Sequence, residues 1–173
     1  FIYIHLPNDH MARPRPADGY PFSASYVADN DYALGRILEY LSKSPWWKSM
    51  AVLITEDDAQ GGVDHIDSHR TVLLVASPWA KKNYASGVNV SFPGLLKTVF
   101  RLLGLPPLNL YDATAPDLSD CFQTADPDFA PFEALRPDPD VFIPENAKDP
   151  IDPAPSPKMD DPAFLRQQHR QRQ

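Results

Sequence analysis

The stretch from Met50 to Ala76 reads MAVLITEDDAQGGVDHIDSHRTVLLVA, two apolar runs with a strongly polar segment between them. The runs Met50 to Ile54 and Val72 to Ala76 have the length and composition of buried strands. The sixteen residues from Thr55 to Arg70 hold five carboxylates and two histidines. This segment lacks the apolar periodicity of a crossover helix, so we expect the second run to return antiparallel to the first. Oxygen and imidazole donors gathered at a strand end are typical of a divalent-metal site.

Two helices and one further strand are predicted around this stretch. The run Phe1 to Leu6 resembles a buried strand that ends at Pro7. Apolar residues recur at helical spacing from Ser23 to about Ser42, and again from Phe92 to Leu103. A helix between two strands of one sheet makes a crossover unit, so the first two strands are predicted to be parallel neighbours. The expected fold is therefore α/β, with a mixed, mainly parallel sheet between helices.

The second helix also carries terminal signals. Ser91 stands at the N-cap position, Pro93 lies in the first turn, and Gly104 follows the last apolar residue.

In the parallel arrangement, Asp9 and His10 would reach the same sheet edge as the carboxylates after Ile54. Open α/β sheets build their sites at that edge.

Composition divides the chain into two predicted parts. Thirteen of the 20 prolines follow Leu105, and the segment from Asp112 to Asp161 contains thirteen acidic residues but three basic ones. We expect residues 1–112 to form the α/β portion and residues 113–173 to form an extended, acidic, proline-rich and poorly structured tail.

Charge and composition also narrow the possible partners. The net charge of −7 disfavours nucleic acid or an anionic membrane surface as the main partner, since both require a basic footprint. No apolar run approaches the roughly 18 residues of a transmembrane helix. Cys121 is the sole cysteine, so no internal disulfide is predicted. The oligomeric state is left open.

Two longer motifs resemble one enzyme superfamily. The segments ASYVADNDYALGRILEYLSKSPWWKSMAVLITEDDAQGG and SHRTVLLVASP are similar to the metal-binding half of the alkaline phosphatase superfamily, in particular its phosphoesterase branch of acid phosphatases and phospholipase C-like enzymes. The resemblance covers about residues 1 to 112. It implies part of a three-layer sandwich, and hydrolysis of a small-molecule or lipid phosphate ester with one or two divalent ions. Zn, Mn, Mg and Ca all remain open, and export to the periplasm or outside is the implied location.

The resemblance also implies a ligand set. Asp57 matches the aspartate of the family's Thr-x-Asp-His step, and Asp58 takes the place of its histidine. His69 matches the later histidine, and Asp9 matches the aspartate that shares a metal with it. The family often has a histidine four residues after that aspartate, and here adjacent His10 is the candidate instead.

Three further points complete the prediction. His65 is an additional candidate ligand, and Arg70 is a candidate phosphate-binding residue. Asp64 and Asp67 are expected to be ordinary loop acids or to orient imidazoles, rather than to bind metal. The superfamily's N-terminal strand with its Ser or Thr nucleophile has no counterpart here, so no catalytic residue is assigned and the chain is expected to be incomplete. The alternatives are a catalytically silent fragment that binds a divalent cation, and an interaction module that acts through its acidic tail.

Overall fold

The computed structural model describes residues 1–8, 10, 13–57, 70–143 and 170. Within these residues the chain forms three helices and one two-stranded sheet. In chain order the elements are α1 (Ser23–Ser42), β1 (Val52–Thr55), β2 (Leu73–Ala76), α2 (Phe92–Leu103) and α3 (Leu110–Thr114). Short 3-10 turns occur at Pro16–Asp18, Trp47–Ser49, Ser119–Cys121 and Pro139–Phe142.

The chain divides into two compact units that do not follow chain order. The first unit comprises Phe1–Pro45, Thr55–Leu73 and Pro131–Gln173, and the second comprises Trp46–Ile54 and Leu74–Ala130. The predicted boundary at residue 112 stays a prediction. No helix among the described residues has the length and apolar character needed to cross a membrane.

Helix α1 organises the first unit, and its bounds agree with those predicted. At its first turn the buried Ser25 hydroxyl accepts a hydrogen bond from the Phe22 amide at 3.1 Å and donates one to the Val141 carbonyl oxygen. The first bond satisfies an amide that no residue inside the helix can pair. The second joins the start of α1 to the turn Pro139–Phe142, where Val141 is buried.

Helix α2 organises the second unit, and it too has the predicted bounds. Gly104 ends it in the left-handed conformation, with φ of 68°, which glycine adopts without steric cost. Ser91 occupies the predicted N-cap position, but its side chain makes no capping hydrogen bond. The buried Thr98 hydroxyl donates to the Gly94 carbonyl oxygen at 2.9 Å and accepts from the Leu118 amide at 3.0 Å. Thr98 therefore connects α2 to the segment after α3.

Helix α3 is fixed by carboxylate and amide capping. Asn109 accepts from the Tyr111 amide at 2.8 Å, and the buried Asp112 carboxylate accepts from the Leu108 and Asn109 amides. Burial alone would raise the pKa of Asp112, but these amide hydrogen bonds outweigh it and hold the pKa below its usual value.

The predicted fold class is wrong. The sheet consists of β1 and β2 alone among the described residues, and they are antiparallel, which does not fit a mainly parallel α/β sandwich. The antiparallel direction expected for the two runs around the polar segment is found. The error lies in Phe1 to Leu6, which forms no strand; Phe1, Ile2 and Tyr3 are 78–85% exposed. An apolar run signals extended backbone, but it does not specify a neighbouring strand to accept its hydrogen bonds.

Candidate functional site

The hairpin of β1 and β2 brings together the two ends of the donor-rich segment. Because the strands are antiparallel neighbours, the end of β1 lies beside the beginning of β2. The Thr55 hydroxyl donates a hydrogen bond to the Val72 carbonyl oxygen at 2.9 Å, which joins the chain on either side of residues 56–71. The two ends of the polar segment are therefore held together.

Two of the predicted site residues lie close in sequence to this junction. Asp57 follows Thr55 by two residues, and Arg70 precedes Val72 by two. Both side chains are exposed. An exposed acidic residue and an exposed basic residue thus follow and precede the two joined positions.

The third described candidate, His10, is exposed on a different segment of the first unit. Its amide donates to the Pro7 carbonyl oxygen at 3.3 Å. The other candidates and their supporting residues lie outside the described residues: Asp9, Asp58, Asp64, His65, Asp67 and His69. Their proposed convergence with Asp57 and His10 stays a prediction.

The structure adds a polar cluster that the sequence did not predict. Asn8 Nδ2 donates to Asp29 Oδ2 at 2.6 Å and to the Tyr20 hydroxyl oxygen at 3.2 Å. The Tyr20 hydroxyl donates to the same Asp29 oxygen at 3.0 Å. We call these three residues the Asp29 cluster. Its members are 9 to 21 residues apart in the chain, and no local sequence pattern reports contacts across such separations.

The second unit contains a shallow cavity of about 660 Å³. It is lined by Lys81, Lys82, Tyr84, Gln123, Asp126, Pro127 and Asp128. Three of its charged groups have partners: Lys82 forms an ion pair with Asp128, and the Lys81 ammonium lies 4.6 Å from the centre of the Tyr84 ring. The three candidates among the described residues, His10, Asp57 and Arg70, do not line this cavity.

Cys121 is not a suitable nucleophile. Burial raises the pKa of its thiol, and the negative charge of neighbouring Asp120 raises it further. A thiol with a raised pKa is mostly protonated at neutral pH and reacts slowly.

A complete metal-binding group is absent from the part of the chain that the structure describes: no three His, Cys, Asp or Glu side chains there converge. The chemistry of the predicted donor set, carboxylates with a few imidazoles, still suits a divalent ion. Searches with this sequence found that no protein-family model and no curated protein matches it.

Proposed function

We propose that this chain is the metal-binding portion of a metal-dependent hydrolase of phosphate esters, similar to the phosphoesterase branch of the alkaline phosphatase superfamily. The observation that carries the proposal is the hydrogen bond between Thr55 and Val72, which joins the two ends of the donor-rich segment. Holding the two ends of a sixteen-residue segment together costs conformational entropy. Because the bond between Thr55 and Val72 already joins these ends, that entropy is not lost when an ion binds. The proposal rests on this loop and its motif, and it does not require the predicted sandwich.

Each candidate residue has a defined role in the proposal. Asp57, Asp58, His65 and His69 supply ligands from the loop, and Asp9 and His10 supply them from the other segment. Arg70 binds a phosphate oxygen at the loop opening, where its guanidinium geometry allows two parallel hydrogen bonds. A bound divalent ion would supply Lewis acidity to the phosphoryl group. The substrate is a small-molecule or lipid phosphate ester.

The metal site is tested by isothermal titration calorimetry of the 173-residue chain with Mn²⁺ and Zn²⁺. The double variant Asp57→Ala plus Asp58→Ala is expected to lose the binding heat, because it removes two of the proposed ligands. The matched control is Asp18→Ala plus Asp31→Ala, two exposed acids whose removal changes the net charge by the same amount. Loss of binding in both variants would show a general charge effect, and retention in both would refute the site.

Hydrolysis is tested separately with an aryl phosphate monoester and an aryl phosphate diester, each with and without the added ion. Turnover that needs the ion and disappears in the Asp57→Ala plus Asp58→Ala variant supports the hydrolase. Metal binding without turnover of either ester by the pure chain favours the alternative in which the chain binds a cation but is catalytically silent. Comparing the two esters identifies the substrate class if turnover is found.

A further inference from the structure

The chain from the end of α2 into α3 exposes an uncharged apolar surface in the second unit. All ten residues from 102 to 111 are exposed, and none of them is acidic or basic. Six of them are large apolar residues that are 47–81% exposed: Leu102, Leu103, Leu105, Leu108, Leu110 and Tyr111. We call these six residues the α2–α3 patch. Apolar patches of a few hundred square ångströms on a protein surface are often functional.

Hydrogen bonds hold the α2–α3 patch in one shape. Just after α2, the Leu105 amide donates to the Phe100 carbonyl oxygen at 2.8 Å. The Lys97 ammonium donates to the Ala113 and Ala115 carbonyl oxygens at 3.0 and 2.8 Å, which ties the end of α3 to α2. Because the patch is already ordered, little conformational entropy is lost when another surface covers it.

Helix α3 buries its carboxylate and exposes its apolar side chains. Asp112 is 3% exposed, because its carboxylate turns inward to accept the amides that precede the helix. Leu110 and Tyr111 are left on the solvent side, 75% and 81% exposed. This is the reverse of an ordinary amphipathic helix, and contact between apolar surface and water is unfavourable until another apolar surface covers it.

We propose that the α2–α3 patch is the interface of a homodimer, in which the patches of two copies of this chain face each other about a two-fold axis. The patch offers no charge for a charged partner to recognise, whereas the same patch on a second copy is equally apolar. Arg101, which precedes the patch, is already paired with Asp117, so the dimer leaves this charge compensated. The proposal is independent of the metal site.

The area of the patch suits a weak dimer. From the relation between buried area and transfer free energy, its five leucines and Tyr111 offer on the order of 300–550 Å² of apolar side chain per copy. Two copies would bury roughly 600–1,100 Å² from these residues, and the exposed Pro106 and Pro107 add to it. This is close to the lower limit of about 1,200 Å² for a stable interface, so we expect a dissociation constant of about 1–100 µM.

The proposal is tested by sedimentation velocity of the 173-residue chain, with EDTA present so that no metal ion bridges two copies. The average sedimentation coefficient should rise from the monomer value towards the dimer value across the expected range of concentration. Added salt should strengthen the association, because it screens the repulsion between two chains that each carry a net charge of −7. A monomer throughout this range, or an association that salt weakens, would overturn the proposal.

The variant Leu108→Lys plus Leu110→Lys places two cations in the patch and should weaken dimerisation by at least about 10-fold, because the ammonium groups would lose water in the interface. Both leucines are at least 73% exposed, so the fold should tolerate the change. The added cations also reduce the net negative charge, so greater repulsion between copies cannot explain the loss. The matched control is Val27→Lys plus Tyr40→Lys, two exposed residues of α1, and it should dimerise as the unaltered chain does. Equal weakening in both variants would contradict an interface at the patch.

A mixture of oppositely charged variants tests the two-fold arrangement and guards against loss of folding. Leu108→Asp plus Leu110→Asp should also be monomeric. Because patch faces patch, an equimolar mixture of the aspartate and lysine variants should form a complex with one copy of each. A mixture that stays monomeric would refute this arrangement. If the unaltered chain is monomeric but sediments with phosphatidylcholine vesicles, and the lysine variant does not, the patch binds a lipid surface and the dimer is refuted.

Discussion

Replacing Thr55 with valine tests whether the joined loop ends matter for metal binding. Valine keeps the β-branched shape and the strand preference of threonine, so the substitution removes the hydroxyl and little else. The single hydroxyl hydrogen faces two carbonyl oxygens, that of Val72 at 2.9 Å and that of Glu56 at 3.1 Å, and the shorter bond, to Val72, is the one that joins the two ends of the segment. A protein hydrogen bond contributes about 0.5–1.5 kcal/mol net. Because water can reach this one, the lower half of that range, about 0.5–1 kcal/mol, is appropriate.

That free energy limits the effect on affinity. If an ion in the loop and the hydrogen bond at its ends favour each other, the coupling is reciprocal and no larger than the contribution of the bond. A loss of about 0.5–1 kcal/mol corresponds to a rise of roughly two- to fivefold in the Mn²⁺ dissociation constant. Calorimetric titration of the 173-residue chain resolves a change of that size.

Thr71→Val is the matched control. Thr71 is exposed and lies next to Val72, on the same side of the junction, so its replacement should leave the dissociation constant unchanged. Equal affinity in the unaltered chain and in Thr55→Val would refute the argument that the junction prepares the loop. Equal weakening in both threonine variants would refute it as well, because the effect would then not arise from the junction.

Two further predictions concern stability in the second unit, which contains all three tryptophans and can be followed by their fluorescence during urea unfolding. Thr98→Val should lower the free energy of unfolding by about 2 kcal/mol, because it leaves the buried Leu118 amide without an acceptor. The matched control is Thr114→Val, at an exposed residue whose hydroxyl also donates to a helix carbonyl oxygen, and it should lower the free energy of unfolding by less than about 0.5 kcal/mol. Equal losses in the two variants would contradict this prediction. Burial would raise the pKa of Asp117, but hydrogen bonds from Ser119 and Arg101 outweigh it and lower the pKa to about 2. A carboxyl group with a lowered pKa stabilises the fold at pH values above the pKa it has in the unfolded chain, and this contribution is lost as the pH falls. The unaltered chain should therefore lose free energy of unfolding between about pH 5 and pH 2, and Asp117→Asn should lose about 1 kcal/mol less over that range. This value allows for solvent screening at the exposed Arg101. An unchanged pH profile in this variant would contradict the assignment.

The sequence predicted both long helices because their signals are local. The spacing of apolar residues gave α1 and α2 their bounds, and Gly104 marked the end of α2 with the left-handed conformation that it adopts. The sheet could not be predicted in the same way, because pairing joins residues far apart in sequence. Phe1 to Leu6 has the composition of a strand, yet nothing in that run specifies which strand would accept its hydrogen bonds.

The candidate site, like the fold, could be predicted from the sequence only in part. The donor-rich segment and the antiparallel return of the chain follow from composition and from the lack of a crossover helix. The Asp29 cluster does not, since a tyrosine and an asparagine in a loop and an aspartate on a helix have no shared local pattern. Their contact depends on where α1 presents Asp29, which is a property of tertiary packing.

The corrected sheet changes which ligands depend on which contacts. The proposed ligands between β1 and β2 require only that these two strands are adjacent and antiparallel. The argument for Asp57 therefore does not depend on the parallel strand predicted for Phe1 to Leu6. The argument for Asp9 and His10 differs, because it requires a parallel strand that would carry them to the same sheet edge, and the structure has no such strand among its described residues. Their place in the site stays a prediction. The variant Asp57→Ala plus Asp58→Ala should therefore abolish metal binding wherever Asp9 and His10 lie, and binding that survives in this variant would refute a site centred on the hairpin.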